Sequence, residues 1–443
     1  MPELVLPRAV TRIIELLEEK GFEAYAVGGC VRDCLLGETP LDWDITTSAS
    51  PADVKRIFNR TIDTGIAHGT VTVRMYGGSY EVTTYRIDGD YSDGRHPDSV
   101  TYTAELAEDL KRRDFTINAM AFHGNRGLVD LFGGMDDLKK GIIRCVGEPE
   151  SRFGEDALRM LRAIRFSARL GFDIAPDTYA AIKKLCGTIS KVSAERIRDE
   201  LLKLITSDHP DRLLLVYESG LSSVFFPELD RMFATEQNTP HHYTDVGHHT
   251  LAVLEALPAD DILRLAGLLH DIAKPLSRKT DHKGRDHFTG HPVAGENLSI
   301  DIMKRLKLDN ATIAKVSRLV RFHDERLIPS SVNARRLAAR FAGDMEGLFE
   351  LKRADIAAQS DYMREDKLKA VDQLEEFYKE SKNCGDCLEI SQLAITGRDI
   401  IELGIDRGPE IGRLLGLLLM ETVDDPDMNT RERLLQRVGE LIA

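Results

Sequence analysis

Short β-rich runs stop at about residue 150 of this 443-residue chain, and that change of pattern constrains the fold more than any other feature. Before it, Glu23–Val27, Asp42–Thr46, Thr70–Met75 and Tyr80–Tyr85 are separated by turns containing Gly, Pro and Ser. Gly77-Gly78 between two of these runs predicts a hairpin. Ser50-Pro51, a capping serine ahead of a proline at the first helical position, predicts a helix through Phe58. After about residue 150 the apolar spacing is helical, as in Ala157–Leu170, Ser193–Leu204, Leu251–Leu257 and Ile262–His270. The expected class is α+β, a mixed first part followed by an all-helical remainder. The length exceeds one hydrophobic core, so several modules are expected. Breaks are expected at Cys145–Pro149, at Asp208–Pro210, around Asn238–Pro240 and at Lys382–Asp386.

With 42% hydrophobic and 30% charged residues, the chain reads as globular rather than disordered or fibrous. No apolar run approaches the roughly 18 residues of a membrane span, and Met1 to Lys20 reads as an amphipathic helix rather than a signal peptide. No membrane role and a cytoplasmic location are therefore expected. Six cysteines suit a reducing compartment. Cys384 and Cys387 form a lone C-x-x-C, read as an incidental loop pair ahead of a metal or redox pair. The net charge of −14 weighs against nucleic acid unless a basic patch is local. Arg152, Arg159, Arg162, Arg165 and Arg169 crowd one stretch that looks helical, the place to look for phosphates.

Ala26 to Gly37 reads as a strand, a Gly28-Gly29 turn and a short helix beginning near Cys30. Such a turn aims backbone N–H groups and a helix N-terminus at an anion and suits a triphosphate. Just downstream, Asp42 and Asp44 sit two apart on an expected strand and so share a face. Two carboxylates there are what a pair of Mg²⁺ ions requires. Asp88-Gly89-Asp90 also matches Asp-x-Asp, in a polar loop with no strand to orient it. Glu81 on the neighbouring run is either a third carboxylate or part of a solvated strand face.

These residues continue into further motifs. Gly28-Gly29-x-Val31-Arg32-Asp33-x-Leu35-Leu36-Gly37 with Asp42-x-Asp44, Leu110-Lys-Arg-Arg-Asp-Phe-Thr-Ile-Asn-Ala119 and Glu155-Asp156-x-x-Arg159 together resemble the class II tRNA nucleotidyltransferases, the family of CCA-adding enzymes and poly(A) polymerases. The resemblance implies a polymerase-β-like head (1–147), then a helical neck that selects the nucleotide (148–215), a body (216–380) and a tRNA-binding tail (381–443). It implies tRNA, ATP and CTP as partners, with Asp42 and Asp44 binding Mg²⁺. Arg113, Asp114 and Asn118 would hold ribose and triphosphate. Asp156 and Arg159 would template the incoming base, with Glu155 orienting Arg159. Three apart on an expected helix, these two share a face; the structural alternative is an i,i+3 surface ion pair. Gly28, Gly29, Arg32 and Arg162 complete the nucleotide-binding set. The polar stretch Arg86–Ser99 resembles a loop that disfavours addition of CC alone. Ile395-Thr-Gly-Arg-Asp-Ile400 and Gly408-Pro-Glu-Ile-Gly412 resemble the tail of the same enzymes.

In the helical remainder, His249, His270-Asp271, His291, His323 and Asp355 form a metal-ligand series. Leu268-Leu-His-Asp-Ile-Ala-Lys274 resembles the signature of HD-domain phosphohydrolases. That resemblance implies one metal held by His249, His270, Asp271 and Asp355, with His291 and His323 available for a second. Imidazole and carboxylate together suit a divalent transition metal that activates water. His248 is an alternative to His249, and His287 a further candidate. The expected function is template-independent CCA addition to tRNA with an accessory phosphohydrolase. The alternatives are an A-adding enzyme or poly(A) polymerase on the same head, or an HD phosphohydrolase whose head only binds RNA. Nothing in the sequence fixes an oligomeric state.

Overall fold

The computed structural model describes residues 4–66, 69–89 and 99–442. They divide into two compact units, Met1–Pro227 and Glu228–Ala443. The first holds strands β1 (Ala24–Val27), β2 (Asp44–Thr47), β3 (Thr61–Gly65), β4 (Thr70–Met75), β5 (Gly78–Thr84), β6 (Arg86–Asp88), β7 (Val100–Tyr102), β8 (Met120–His123) and β9 (Gly127–Asp130). Seven make one mixed sheet in the order β3-β4-β5-β2-β1-β8-β9, while β6 and β7 form a separate ribbon. Within the large sheet β2 and β5 run parallel and the other neighbours antiparallel. This parallel register sets Asp44 directly beside Glu81.

Local chemistry accounts for these elements. The β4–β5 hairpin turns at Tyr76 and Gly77, both at positive φ (48° and 84°), the two-residue turn whose twist matches its strands. Ser50 accepts from the Asp53 N–H at 3.2 Å and Pro51 opens the helix Pro51–Ile57, as the sequence predicts. The helix Arg8–Glu18 buries Val10, Ile13, Ile14 and Leu17, spacing that lines one face.

The structure differs from the sequence reading at several points. Asp42 precedes β2 instead of lying on it, and is exposed. Asp88 ends a short strand rather than standing in a loop. Asp90 and most of the polar stretch through Ser99 lie outside the described residues. The arginine-rich stretch is two helices, Pro149–Glu155 and Leu158–Leu170, broken at Asp156 with φ −145°. The remainder beyond residue 150 is mostly helical, but Asp173–Ile174 pairs with Ile142–Ile143, and Lys279–Thr280 with Asp286–His287.

The second unit is helical, and aspartate or serine caps fix where its helices begin. Asp245, Asp260, Asp309, Ser330 and Asp344 accept backbone N–H groups ahead of Val246–Ala256, Asp261–Leu269, Asn310–Phe322, Ser331–Phe341 and Met345–Ala358. Toward the C-terminus, Leu393, Ile395, Ile400, Leu414 and Leu418 form a separate core that includes Cys387. Cys384 is exposed, so the C-x-x-C consists of one core residue and one surface residue. Among the described residues no helix is long and apolar enough to cross a membrane.

Candidate functional site

In the first unit, β1 ends at Val27 and Gly28 takes φ 85°, sending the chain into the helix Gly29–Leu36. A Cβ on Gly28 would sit 2.8 Å from Arg113 Nη1, so the guanidinium lies against bare backbone. Arg113 is held from its other side by Asp109, whose Oδ2 is 3.7 Å from Nη2. Asp109 also accepts from Arg112 at 2.8 Å and from Thr46 Oγ1 at 3.0 Å, tying the arginine pair to β2. Burial would raise the Asp109 carboxyl, but Arg112 and Arg113 outweigh it and hold it below the usual range. Asp109 went unnoticed in the sequence, and only its spacing from the two arginines signals it.

The carboxylates stand next to this cation. Burial pushes Asp44 up, Glu81 and Asp42 push it the same way, and Arg113 opposes them. A buried carboxylate whose proton affinity is raised by two acidic neighbours forms a site that a divalent cation would relieve, and oxygen-only ligands suit magnesium. Glu81 is exposed, as is Asp42.

Asp114 is the hub of the next layer. Its Oδ2 accepts from Arg162 Nε at 3.0 Å and Nη2 at 2.6 Å, and its Oδ1 from Asn118 Nδ2 at 3.2 Å. Burial would raise this carboxyl, but Arg162 dominates and holds it at about 2. Arg32 is buried, donating to Asn118 Oδ1 at 2.6 Å and to Asp33, which Arg169 pairs at 3.0 Å. Arg32 therefore positions Asn118 rather than facing solvent.

The break at Asp156 changes the expected template geometry. Asp156 and Arg159 do not share one helix. Asp156 accepts from Leu158 N–H at 3.0 Å and is gripped by Arg196, Nη2 to Oδ2 2.6 Å and Nη1 to Oδ1 3.3 Å. Arg159 pairs with Glu155. Arg196, on the helix Ala194–Ile205, was missed because its partner lies 40 residues away and nothing local marks it. All five arginines of the stretch face carboxylates: Arg152 and Arg159 meet Glu155, Arg162 meets Asp114, Arg165 meets Glu200 and Arg169 meets Asp33. The stretch is thus internally compensated, which accords with the acidic chain.

In the second unit the metal-ligand series converges from five places. His249 comes from Val246–Ala256, and His270 and Asp271 follow Asp261–Leu269. His291 opens His291–Arg305, His323 ends Asn310–Phe322, and Asp355 lies on Met345–Ala358. Two groups form, His249/His270/Asp355 and Asp271/His291/His323. Asp271 spans them, with Oδ2 3.2 Å from His270 Nε2 and Oδ1 3.3 Å from His291 Nε2. The sequence expectation placed Asp271 with the first metal; here it faces both groups.

Hydrogen bonds decide what these imidazoles present. His270, His291 and His323 direct Nδ1 at the carbonyls of Gly267, Phe288 and Val320 at 2.7, 2.8 and 2.7 Å. Those carbonyls accept, so Nδ1 carries the proton and Nε2 offers a lone pair. The His291 and His323 Nε2 atoms then lie 3.2 Å apart, and those of His249 and His270 3.3 Å apart. Facing lone pairs beside a buried carboxylate call for cations between them. Burial would raise Asp355, but the His249 contact at 3.0 Å outweighs it and keeps it well below the usual range. His248 is half-exposed and pairs with Asp245, while His287 is exposed and pairs with Asp281, so neither joins the cluster.

Comparisons with known proteins agree with this geometry. Residues 24–144 match a family model described as the poly A polymerase head domain. Residues 171–233 match one described as a probable RNA and SrmB-binding site of polymerase A, and residues 241–365 match the HD domain. The CCA-adding enzyme of Levilactobacillus brevis is 35% identical over 428 residues, covering 97% of this chain and 96% of that protein. The CCA-adding enzyme of Limosilactobacillus fermentum is 34% identical, with coverages of 97% and 96%. A crystal structure of the Bacillus stearothermophilus CCA-adding enzyme in complex with CTP superimposes with a TM-score of 0.72 at 30% identity, covering 98% of both chains. With the double-glycine turn beside the paired aspartates in one unit and the HD cluster in the other, the chain belongs to the CCA-adding enzymes, nucleotidyltransferases that here carry an HD domain.

Proposed function

We propose that this chain adds C, C and A to the 3′ end of tRNA, taking CTP twice and ATP once and using no nucleic-acid template. The observation that carries the reading is Asp44 beside Glu81, close to Arg113 and the Gly28-Gly29 turn. The head (1–147) performs the chemistry, the neck (148–215) chooses the nucleotide, the body (216–380) carries the HD centre and the tail (381–443) binds tRNA.

The tRNA 3′-hydroxyl oxygen bonds to the α-phosphorus of the bound nucleotide, the bond to pyrophosphate breaks, and the hydroxyl proton is lost. Asp42 and Asp44 would hold magnesium, which when bound would acidify that hydroxyl and neutralise the leaving pyrophosphate. The Gly28-Gly29 turn and Arg113 hold the triphosphate. Asp114, fixed by Arg162, accepts from ribose hydroxyls, and Arg32 keeps Asn118 in place for the same sugar. Asp156 accepts from the exocyclic amine shared by cytosine and adenine, and Arg159, braced by Glu155, donates to a ring acceptor. An Asp44→Asn variant that binds tRNA but incorporates neither C nor A is the expected result. Undiminished incorporation would remove Asp44 from the chemistry.

A second activity is favoured by the cluster of facing Nε2 atoms around Asp271. His249, His270 and Asp355 in one group, and Asp271, His291 and His323 in the other, would hold divalent transition metals, which when bound would supply an activated water for hydrolysis of phosphoesters at damaged RNA ends. Asp271→Ala is expected to lose bound metal and all phosphoesterase activity. If that activity survives intact, it belongs elsewhere.

A further inference from the structure

The strand register that sets Glu81 beside Asp44 continues outward to the edge of the large sheet. Thr72 on β4 stands opposite Glu81, and Arg74, two residues further on, stands opposite Ser79. Residues two apart on a strand share a face, so Arg74 stands on the same side of the sheet as the carboxylates. The alternating Val71 and Val73 are fully buried on the other side. The ladder runs on just past the end of β3, where the Arg60 carbonyl accepts from the Arg74 N–H at 2.9 Å. Arg60 and Arg74 therefore face each other across the sheet edge.

Both arginines are exposed, and neither makes a hydrogen bond or ion pair among the described residues. Strands β3, β4 and β5 carry two carboxylates, Asp63 and Glu81. Asp63 is taken by Lys55 at 2.9 Å, and Glu81, diagonally across from Arg74, makes no ion pair with it and acts on Asp44. Like charges directly opposite on a sheet repel, and even in a chain of net charge −14 no described acid is paired with these two. Between them and the carboxylates the floor is neutral hydroxyl, with Thr64 and Thr72 paired at 2.7 Å and Thr70 and Thr83 at 2.9 Å.

The direction of the reaction says what crosses this floor. In an in-line displacement the attacking oxygen enters opposite the leaving pyrophosphate. The Gly28-Gly29 turn that holds the triphosphate follows β1 and lies against Arg113, whereas β5, β4 and β3 lie on the other side of β2 and Asp44. The strand bearing the 3′-hydroxyl then arrives over β5, β4 and β3. We propose that Arg74 and Arg60 hold backbone phosphates of the tRNA 3′ strand just behind its terminal nucleotide and so aim the hydroxyl for attack. The proposal rests on the reading of the head as a nucleotidyl-transfer site. Two strand spacings and two residues separate Arg74 from Asp44, about 12 Å between backbones, which reaches past the reacting phosphate to the linkages behind it. A phosphate between the two guanidiniums replaces a like-charge contact by two charge-assisted ones.

The test uses the full chain with Mg²⁺, CTP and a tRNA transcript ending at the discriminator base, beside transcripts in which one of the last three linkages is an uncharged methylphosphonate. Arg74→Met and Arg60→Met should each lower kcat/KM for tRNA roughly 3- to 10-fold, and the double variant roughly 10- to 50-fold, with CTP affinity in equilibrium dialysis unchanged. The slope of log kcat/KM against log salt should become shallower by about 0.7 per lost contact. Arg74→Lys should recover part of the loss. A methylphosphonate at the contacted linkage should slow the wild type and leave the double variant nearly unaffected, because the contact it removes is already gone. A double variant with the kcat/KM of the wild type overturns the proposal, as does one that loses as much as the wild type at every methylphosphonate. A fall in CTP affinity that accounts for the whole loss overturns it by assigning the arginines to the nucleotide. Failure of the wild type to extend the unmodified transcript overturns the transfer reading beneath it. Both side chains are exposed, so either variant keeps the test decisive should the other fold poorly.

Discussion

Replacing Arg196 by leucine tests whether base choice depends on how Asp156 is held. The guanidinium forks onto both carboxylate oxygens, at 2.6 and 3.3 Å, and the side chains are 24% and 14% exposed, so solvent screens the pair only in part. A charge-assisted contact of this kind is worth about 1.5–3 kcal/mol. Without it Asp156 keeps only the Leu158 N–H and is free to turn away from an incoming base. If half to all of that restraint serves recognition, the preference for CTP over UTP in kcat/KM should fall by about 3- to 150-fold. Arg196→Lys, a point charge without the fork, should fall between. The assay is single-nucleotide incorporation on a tRNA transcript ending at the discriminator base, each of the four nucleotides supplied alone. A folded Arg196→Leu protein that discriminates as sharply as the wild type would refute the argument, as would equal losses for all four nucleotides.

Other consequences follow from individual contacts. The Asp114 carboxyl sits at about 2 in the folded chain against an ordinary 3.8, so its stabilising contribution is fully present above about pH 4 and is lost as pH falls through 2. It amounts to about 2 kcal/mol, and Asp114→Asn should flatten the loss of unfolding free energy between pH 5 and pH 2 by that much in denaturant titrations. Gly28→Ala meets both a φ of 85° and Arg113 at 2.8 Å. It should cost about 1–2 kcal/mol and lower incorporation of C and A alike, measured by melting and by single-turnover rates. Cys387→Ala should destabilise the C-terminal helical core by about 1–2 kcal/mol, whereas Cys384→Ala should change stability by less than about 0.5 kcal/mol; neither should alter metal content.

Where a local rule set the structure, the sequence revealed it. Ser50-Pro51 began a helix, Gly77 turned a hairpin, and Gly28-Gly29 joined strand to helix because each depends on backbone preferences of the residues themselves. The six His and Asp side chains that converge in the second unit were legible for another reason: they form a series of imidazoles and carboxylates around a segment that resembles the HD signature. Asp156 shows the limit. Its neighbours continue a helical pattern, yet its carboxylate accepts from Leu158 N–H and interrupts the helix, a competition that short acidic side chains often win. Strands β8 and β9 were missed because four-residue runs carry little periodicity, and the other partner of β8, β1, lies almost a hundred residues away. Arg196 was illegible because tertiary folding, not sequence spacing, gives it its partner.

The central claim is tested most directly by supplying purified protein and Mg²⁺ with two tRNA transcripts, one ending at the discriminator base and one ending in CC, with CTP and ATP given separately and together. The account predicts that the first transcript gains CC with CTP alone and CCA with both, and that the second gains a single A. Addition of one A to the CC-ended transcript, with none to the other, would contradict it and make the chain an A-adding enzyme that depends on another protein for the two cytidines.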